Sequence, residues 1–225
     1  MKHLPLAIVA SLCFSANASA ASAYTFRLFA SGVIATAHSS VPAVTYTYAT
    51  WNPADKASGA NLSNGNLTES SSLGNGVRAT LAKSSGKWYW EIAVNATANG
   101  YGPLVGIEGA GAQLVAAYTG PAEYLFLPSQ GLRYGAGVIS AYGTSVTAGD
   151  VIGIAVDLDN RTMMFLKNGV SLGSAYTSGM LPAGTYRPYV SDPYSGSASA
   201  TSTANFGQTP FKYAVPSGYQ AGWFQ

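Results

Sequence analysis

The clearest hydrophobic pattern in the chain lies between Asp150 and Gly169. Apolar side chains occupy every second position of its first half, which predicts a strand with one buried face: Ile152, Ile154, Val156 and Leu158. The polar residues 159–162 then favour a turn, in which Asn160 tolerates a left-handed backbone. Residues 163–166 form the return strand. The dipeptide Asn168-Gly169 is typical of a type I′ hairpin, so a third antiparallel strand follows.

A second alternating segment precedes this one and is rich in tryptophan. Its apolar face is predicted to contain Trp88, Trp90, Ile92 and Val94. Alternation with aliphatic residues assigns Trp90 to the core, whereas Trp88 could lie in the core or stack on a sugar ring. Glu91 points to the opposite face, where a structural carboxylate is favoured over a lone acid in a cleft.

Four short motifs occur in a fixed order along these strands. They are Gly-Lys-x-Tyr-Trp-Glu at 86–91, Gly-Asp-Val-Ile-Gly at 149–153, Phe-x-Lys-Asn-Gly at 165–169 and Asn-Phe-Gly at 205–207. Together they resemble the SPRY (B30.2-like) family, and most closely its bacterial and phage-borne branch. The resemblance covers roughly 49–219. It implies an all-β, two-sheet antiparallel sandwich of the concanavalin A-like type, in a family that generally binds proteins rather than catalyses.

Composition agrees with one large β domain. The chain has 225 residues and 48% hydrophobic residues, which is enough for a substantial core. Charged residues make up 9%, against roughly 25% in typical soluble domains, and the formal net charge is +2. This near-neutral balance gives no electrostatic basis for binding nucleic acid.

The first 20 residues have the pattern of a cleavable signal peptide. A basic start precedes an apolar run from Leu4 to Phe14, and small residues then lead to a cleavage site after Ala20. The apolar run is shorter than the roughly 20 residues of a membrane-spanning helix. We therefore expect a secreted, periplasmic or cell-surface protein, with a virion as the alternative. The single cysteine, Cys13, lies in this leader, so the mature chain would have no disulfide.

The domain organisation predicted from these features is a signal peptide at 1–20, an extension at 21–48 and the sandwich at 49–225. The extension alternates like a strand at Tyr24–Ala30 and again at Val44–Tyr48. These segments could add edge strands to the sandwich. Alternatively, residues 24–30 could pair with a neighbouring subunit by strand addition. The aromatic tail at 218–225 is expected to dock on its own domain or on a partner.

Candidate catalytic groups are few. Both histidines lie outside the family resemblance, and a catalytic cysteine is absent from the mature chain, so a histidine-based triad is excluded there. The four glutamates, which could act as glycosidase carboxylates, are far apart in sequence: Glu69, Glu91, Glu108 and Glu123. Asp157 and Asp159 form one tight acidic pair, which fits a turn better than a cation site. We predict no enzyme, no cofactor and no metal.

Loop residues are the better candidates for binding, because a rigid sandwich presents its loops. Tyrosines flanked by glycine, and charged residues beside such rings, give contact area at a low cost in entropy. The predicted ligand-binding residues are Tyr101, Tyr118, Arg133, Tyr142, Asp192 and Tyr194.

The sequence therefore predicts a non-catalytic, exported recognition module that binds a protein or a glycan through sandwich loops. One alternative is a structural subunit of a surface layer, filament or phage appendage, with self-association through residues 24–30. Another is a carbohydrate-active enzyme on a concanavalin-like scaffold. The fold alone does not choose among them.

Overall fold

A computed structural model describes residues 24–30, 33–39, 44–115, 120–192, 196 and 198–225. The chain forms two compact units, Met1–Thr45 and Tyr46–Gln225. The predicted signal peptide and Cys13 lie outside the described residues. The boundaries predicted at 20 and 48 remain predictions.

In the first unit, strand β1 (Tyr24–Ala30) pairs antiparallel with β2 (Val33–Ser39) in a two-stranded sheet of their own. The sequence predicted the first strand but not its partner. The partner of Tyr24–Ala30 in this sheet is the adjacent segment, and an added edge strand on the sandwich stays a prediction. The strand predicted at Val44–Tyr48 is wrong: Tyr48 makes only an isolated bridge with Phe224.

The second unit is an antiparallel sandwich of two sheets. The front sheet has seven strands in the order β11 (Val138–Ala141), β10 (Leu132–Gly135), β9 (Glu123–Leu127), β8 (Leu104–Glu108), β15 (Arg187–Ser191), β6 (Gly76–Ala79) and β3 (Trp51–Lys56). The back sheet has the order β14 (Val170–Tyr176), β13 (Thr162–Lys167), β12 (Val151–Asp157), β7 (Lys87–Ala96), β16 (Ala200–Asn205), β5 (Thr68–Ser71) and β4 (Asn61–Ser63). Its eighth strand, β17 (Gln220–Ala221), runs parallel to β7. The predicted fold class is confirmed.

Alternating side chains of both sheets form the core between them. Ile154 pairs with Trp90 and Ile152 with Ile92 across β12 and β7, and all four are buried as predicted. From the front sheet, alternate residues of β6, β8, β9 and β15 face the same core: Val77, Ala79, Val105, Ile107, Tyr124, Phe126 and Val190.

The Trp88 ring lies at the margin of this core. It is half-buried, with its centroid 5.8 Å from that of Trp223 and 5.5 Å from that of Phe224. Its indole nitrogen donates a hydrogen bond to the Ser85 carbonyl at 2.7 Å, and the Lys83 ammonium lies 4.4 Å from the ring. The Trp88 ring thus packs against aromatic residues and a lysine of its own domain.

The two turns of the β12–β13–β14 meander show how local sequence sets the register. Asn168 and Gly169 have φ of 50° and 79°, as a type I′ turn requires. In the preceding turn the left-handed residue is Arg161, with φ of 57°, rather than Asn160. The Asp157 carboxylate explains this shift, because it accepts hydrogen bonds from both the backbone and the side-chain nitrogen of Asn160, at 2.9 and 2.8 Å.

The acidic pair Asp157 and Asp159 is therefore structural. Asp157 also pairs with Lys87 at 3.0 Å, and Asp159 accepts a hydrogen bond from the backbone nitrogen of Gly86 at 2.8 Å. Burial opposes ionisation of Asp157, but its hydrogen bonds from Asn160 and the charge of Lys87 keep its pKa below the ordinary value.

The C-terminal segment docks on its own domain. Trp223 is fully buried, and its indole nitrogen donates to the Leu81 carbonyl at 2.9 Å. Glu91 accepts hydrogen bonds from the backbone nitrogens of Lys212 and Tyr213, both at 2.9 Å, and from the Tyr89 hydroxyl at 3.0 Å. These contacts confirm the structural role predicted for Glu91.

Candidate functional site

One end of the sandwich gathers several loops. The strand pairings place Gly76, Ser191 and Leu104 side by side, so the connections next to these residues emerge together. They are residues 72–75 between β5 and β6, residues 97–103 between β7 and β8, and the segment that follows β15. We call this the loop end. Its frame consists of buried strands, as rigid presentation of a binding surface requires.

Leu73 is the unusual residue of the loop end. It has a φ of 58°, and its side chain is 55% exposed. The left-handed conformation is unfavourable for a bulky residue by roughly 1–2 kcal/mol, and solvent exposure of leucine adds no compensating burial. The loop retains this conformation because Asn75 donates from its backbone and its side chain to the Ser72 carbonyl, at 3.2 and 2.5 Å.

A second exposed apolar side chain lies close to this loop. Val115, which is 49% exposed, bridges Asn75, and the Gly76 nitrogen donates to the Leu114 carbonyl at 2.9 Å. Val115 belongs to the long connection between β8 and β9. Leu73 and Val115, with Asn75 between them, form the apolar patch of the loop end.

Two of the predicted binding residues lie at this end. Tyr101 is half-buried in a tight turn, where it exchanges two backbone hydrogen bonds with Ala98, at 2.7 and 2.8 Å. Asp192 follows β15, and its backbone nitrogen donates to the Asn75 carbonyl at 3.3 Å. Its side chain is fully buried, and one carboxylate oxygen accepts from the Ala200 nitrogen at 3.2 Å. The Asp192 carboxylate therefore lies beneath the surface of the loop end.

Arg133 and Tyr142 lie elsewhere, beside the edge strand β14. The Arg133 side chain donates to the Ser140 hydroxyl at 2.8 Å, and its guanidinium lies 5.4 Å from the Tyr176 ring. The Tyr142 hydroxyl donates to the Gly173 carbonyl at 2.7 Å and accepts from the Phe165 nitrogen at 3.2 Å. Both side chains help to close the sandwich along this edge. The other two predicted residues, Tyr118 and Tyr194, lie outside the described residues, and their roles remain predictions.

Sequence reasoning missed a group of buried polar side chains beneath the loop end. Glu69 and Ser202 face each other across β5 and β16, and they are 1% and 0% exposed. Burial raises the pKa of Glu69 to about 8; the charge of Asp192 adds to this, and a hydrogen bond with Ser71 opposes it. The signal in the sequence was the unbroken run of polar residues at Thr68–Ser71, in a strand whose buried face would ordinarily have apolar side chains.

A second buried polar group lies on the outer face of the front sheet. Glu108 and Glu123 are direct register partners on β8 and β9, although 15 positions separate them in sequence. Arg78 donates to Glu108 at 2.9 Å, and the Gly120 nitrogen donates to Glu123 at 2.6 Å. Both glutamates are at most 2% exposed. The structure thus brings two carboxylates together, but shields them from a polysaccharide chain.

Burial raises the pKa of Glu108 to about 9 against the opposing charge of Arg78, and the neighbouring Glu123 adds to the increase. Arg78 is shared, because it also binds Asp55 at 2.9 Å and the Ala112 carbonyl. Within the described part of the chain, no group of three or more His, Cys, Asp or Glu side chains is arranged to hold a metal ion. The same residues include no helix long and apolar enough to cross a membrane.

Comparison with known proteins places this geometry in context. Residues 87–209 match the SPRY domain. Ran-binding protein 9 of Xenopus tropicalis is 31% identical over 183 residues, which cover 73% of this chain and 31% of the relative. Human Ran-binding protein 9 is 34% identical over 187 residues, which cover 77% of this chain and 24% of the relative. The E3 ubiquitin-protein ligase RKP of Arabidopsis thaliana is 34% identical over 159 residues, which cover 66% of this chain and 11% of the relative.

The chain thus spans less than a third of the length of each of these relatives. Among solved structures, the SPRY domain of human HERC1 superposes with a TM-score of 0.61 at 22% identity. That superposition covers 71% of this chain and 99% of the HERC1 chain. At this identity it supports the shared fold.

Proposed function

This chain belongs to the SPRY domain family, and from that premise we propose that it is a non-catalytic module that binds a protein partner through its loop end. SPRY domains are protein-interaction modules, and the family relationship supports binding rather than catalysis. The finer proposal is the location of the contact: the apolar patch of Leu73, Asn75 and Val115.

The observation that carries this location is the conformation of Leu73. A bulky residue in the left-handed region costs stability, and an exposed leucine recovers none of it from burial. Strained residues of this kind cluster at binding sites, where the surrounding structure holds them in place. Exposed Val115 bridges Asn75, two positions after Leu73, and we propose that the two apolar side chains give a partner an anchor that would lose its contact with water on binding.

The fixed backbone around the patch supports the same proposal. The Asn75 carbonyl accepts hydrogen bonds from the Ser71 hydroxyl at 2.8 Å and the Asp192 nitrogen at 3.3 Å. These bonds fix the β5–β6 connection internally and join it to the end of β15 before any partner arrives. Pre-organisation lowers the entropic cost of binding, so a patch of modest area can still reach useful affinity.

Selection of peptides from a random display library on the immobilised full chain tests the proposal. Affinities of the selected peptides are then compared for Leu73→Ser, Val115→Ser and Val138→Ser. Val138 is the matched control, since it is 65% exposed but lies on β11, after the turn at the opposite end of the sandwich. We expect the two patch variants to weaken binding on the order of tenfold or more, as for an interface anchor, and the control to leave it unchanged. If all three variants change the peptide affinity equally, the apolar patch is not the binding site.

Several finer expectations remain proposals. Export depends on residues 1–20, and a glycan ligand is the alternative to a protein; a glycan array screened with the same variants distinguishes the two. The relatives named above come from a frog, human and a plant, and so they give no support to a bacterial or phage origin. Self-association through residues 24–30 remains a proposal without a supporting observation; that strand pairs with Val33–Ser39.

A further inference from the structure

The buried polar side chains beneath the loop end form one contiguous cluster. Glu69 lies opposite Ser202 across β5 and β16, and Ser71 lies opposite Ala200 in the same pair of strands. The Ala200 nitrogen donates to the Asp192 carboxylate at 3.2 Å, which brings that carboxylate to the same place. Glu69, Ser71, Asp192 and Ser202 are each at most 1% exposed. We call these four residues the Glu69 cluster.

Among the residues that the structure describes, two atoms of this cluster find no hydrogen-bond partner. They are Oε1 of Glu69 and Oγ of Ser202, both shielded from solvent. Leaving a carboxylate oxygen and a hydroxyl unsatisfied in the interior is costly, and native proteins rarely do so without a bound water, ion or ligand. Because the two residues are direct register partners, both unsatisfied groups belong to one location.

The ligand atoms of the cluster restrict the kind of ion or molecule that it can bind. Its side chains offer only oxygen atoms, from two carboxylates and two hydroxyls. Within the described part of the chain, the ion pairs of Arg78, Lys87 and Lys167 do not include Glu69. Glu108 provides the contrast, because Arg78 lies 2.9 Å from that equally buried carboxyl group and donates a hydrogen bond to it. At Glu69 the described residues provide no such cation.

We propose that the Glu69 cluster binds a hard divalent cation of the Ca²⁺ class. Carboxylate and hydroxyl oxygens are ligands of that class, whereas zinc and copper sites require imidazole or thiolate. Ca²⁺ is favoured over Mg²⁺ because it accepts irregular sets of oxygen ligands, while Mg²⁺ demands near-ideal octahedral geometry. When the entering cation displaces the proton of Glu69, Glu69 and Asp192 supply the negative charge, and Ser71 and Ser202 supply neutral ligands. The sequence predicted no metal, since these residues are brought together only by strand pairing.

The experiment uses the full chain, stripped of metal with EDTA and dialysed. Its Tm is measured with CaCl2, with MgCl2, and with NaCl at matched ionic strength, and calorimetric titration gives the Kd for Ca²⁺. We expect Ca²⁺ at about 100 times its Kd to raise Tm by roughly 5–10 °C. Glu69→Gln should abolish the rise, and Ser202→Ala should weaken Ca²⁺ binding on the order of tenfold.

The control variant is Asp159→Asn, which alters the acidic pair near the β12–β13 turn at the opposite end and should keep the full response. Ser202→Ala keeps the test decisive if Glu69→Gln does not fold, because it removes only one hydroxyl. A Tm that does not respond to Ca²⁺ overturns the proposal. So does a rise that NaCl reproduces, or one that both Glu69→Gln and Ser202→Ala retain in full.

Discussion

The guanidinium of Arg78 lies 2.9 Å from the carboxylate of Glu108, in a position where the Glu108 side chain is completely shielded from water. Arg78 divides its charge between Glu108 and Asp55, while Glu123 lies directly across from Glu108 on the next strand. On the other side, Arg187 is the register partner of Glu108. Because Glu108 is fully buried beside these ionisable groups, its protonation makes the stability of this region sensitive to pH.

Stability should fall as pH rises because of Glu108. Its pKa is about 9 in the folded protein, against an ordinary value of 4.5, so the folded state holds a proton that the unfolded state releases. This contribution is complete below pH 4.5 and is lost as pH approaches 9, at no more than about 1.4 kcal/mol per pH unit. Tyr189 lies close to Glu108, and burial raises the pKa of its hydroxyl as well. The Tyr189 hydroxyl therefore stays neutral between pH 4.5 and 9.

Urea unfolding of the wild type and Glu108→Gln between pH 5 and 9, with EDTA present, measures this slope. We expect the variant to have the shallower dependence. The free energy of unfolding of the variant should still fall somewhat with pH, because burial also raises the pKa of Glu69. Identical slopes in the two proteins would show that Glu108 is already ionised in the folded state.

Removing the Trp223 side chain should destabilise the sandwich severely. The ring is fully buried, with its centroid 5.3 Å from that of Trp90, and its nitrogen bonds the Leu81 carbonyl. Trp223→Ala should lower the free energy of unfolding by about 3–5 kcal/mol, as for other large buried aromatics. Chemical denaturation checks this, and a loss below about 1 kcal/mol would mean that the tail is not part of the cooperative unit.

The Glu91→Gln variant should loosen the C-terminal segment locally. The substitution places an amide N–H₂ near the backbone N–H groups of Lys212 and Tyr213, which both donate to Glu91. Trypsin should therefore cleave after exposed Lys212 several times faster than in the wild type. Cleavage after Arg161, in the exposed β12–β13 turn, serves as the internal control; an equal increase at both sites would indicate global rather than local destabilisation.

Replacing Leu73 by glycine should stabilise the protein while weakening peptide binding. Glycine adopts a φ of 58° without penalty, so a gain of about 1 kcal/mol is expected. Ala136→Gly is the matched control, because Ala136 is also exposed with a φ of 50° but lies at the opposite end. Both variants should have a higher Tm than the wild type, and only Leu73→Gly should lose affinity. If Leu73→Gly binds the selected peptides normally, the leucine is not an anchor.

Local pattern predicted those parts of the fold that neighbouring residues determine. The alternation around Trp90 and Ile154 and the Asn168-Gly169 turn were sufficient for β7, β12 and the hairpin to β14. Arg161 was missed as the left-handed residue because the side chain of Asp157 engages Asn160. That competition between side chains is visible only once the turn is built.

The candidate site was less predictable, because it depends on pairing between distant segments. Glu69 meets Ser202 over 133 positions of sequence, and Asn75 meets Val115 over 40. No local periodicity encodes which strand becomes the neighbour of another. The tyrosines were selected for their glycine-flanked loops, a rule that also chose Tyr142, whose hydroxyl already makes two internal hydrogen bonds.

The first and last residues of the sandwich meet in space. Thr47 and Gln225 exchange both backbone hydrogen bonds, at 2.9 and 3.0 Å, and Tyr48 bridges Phe224 next to them. A chain that enters and leaves a domain at one point can be grafted into a surface loop of a host protein without stretching either connection. The same closeness allows a short peptide to join the two ends and new termini to be opened at the turn after Gly135, which yields a circular permutant. The sandwich is therefore suited to insertion into host proteins of different folds.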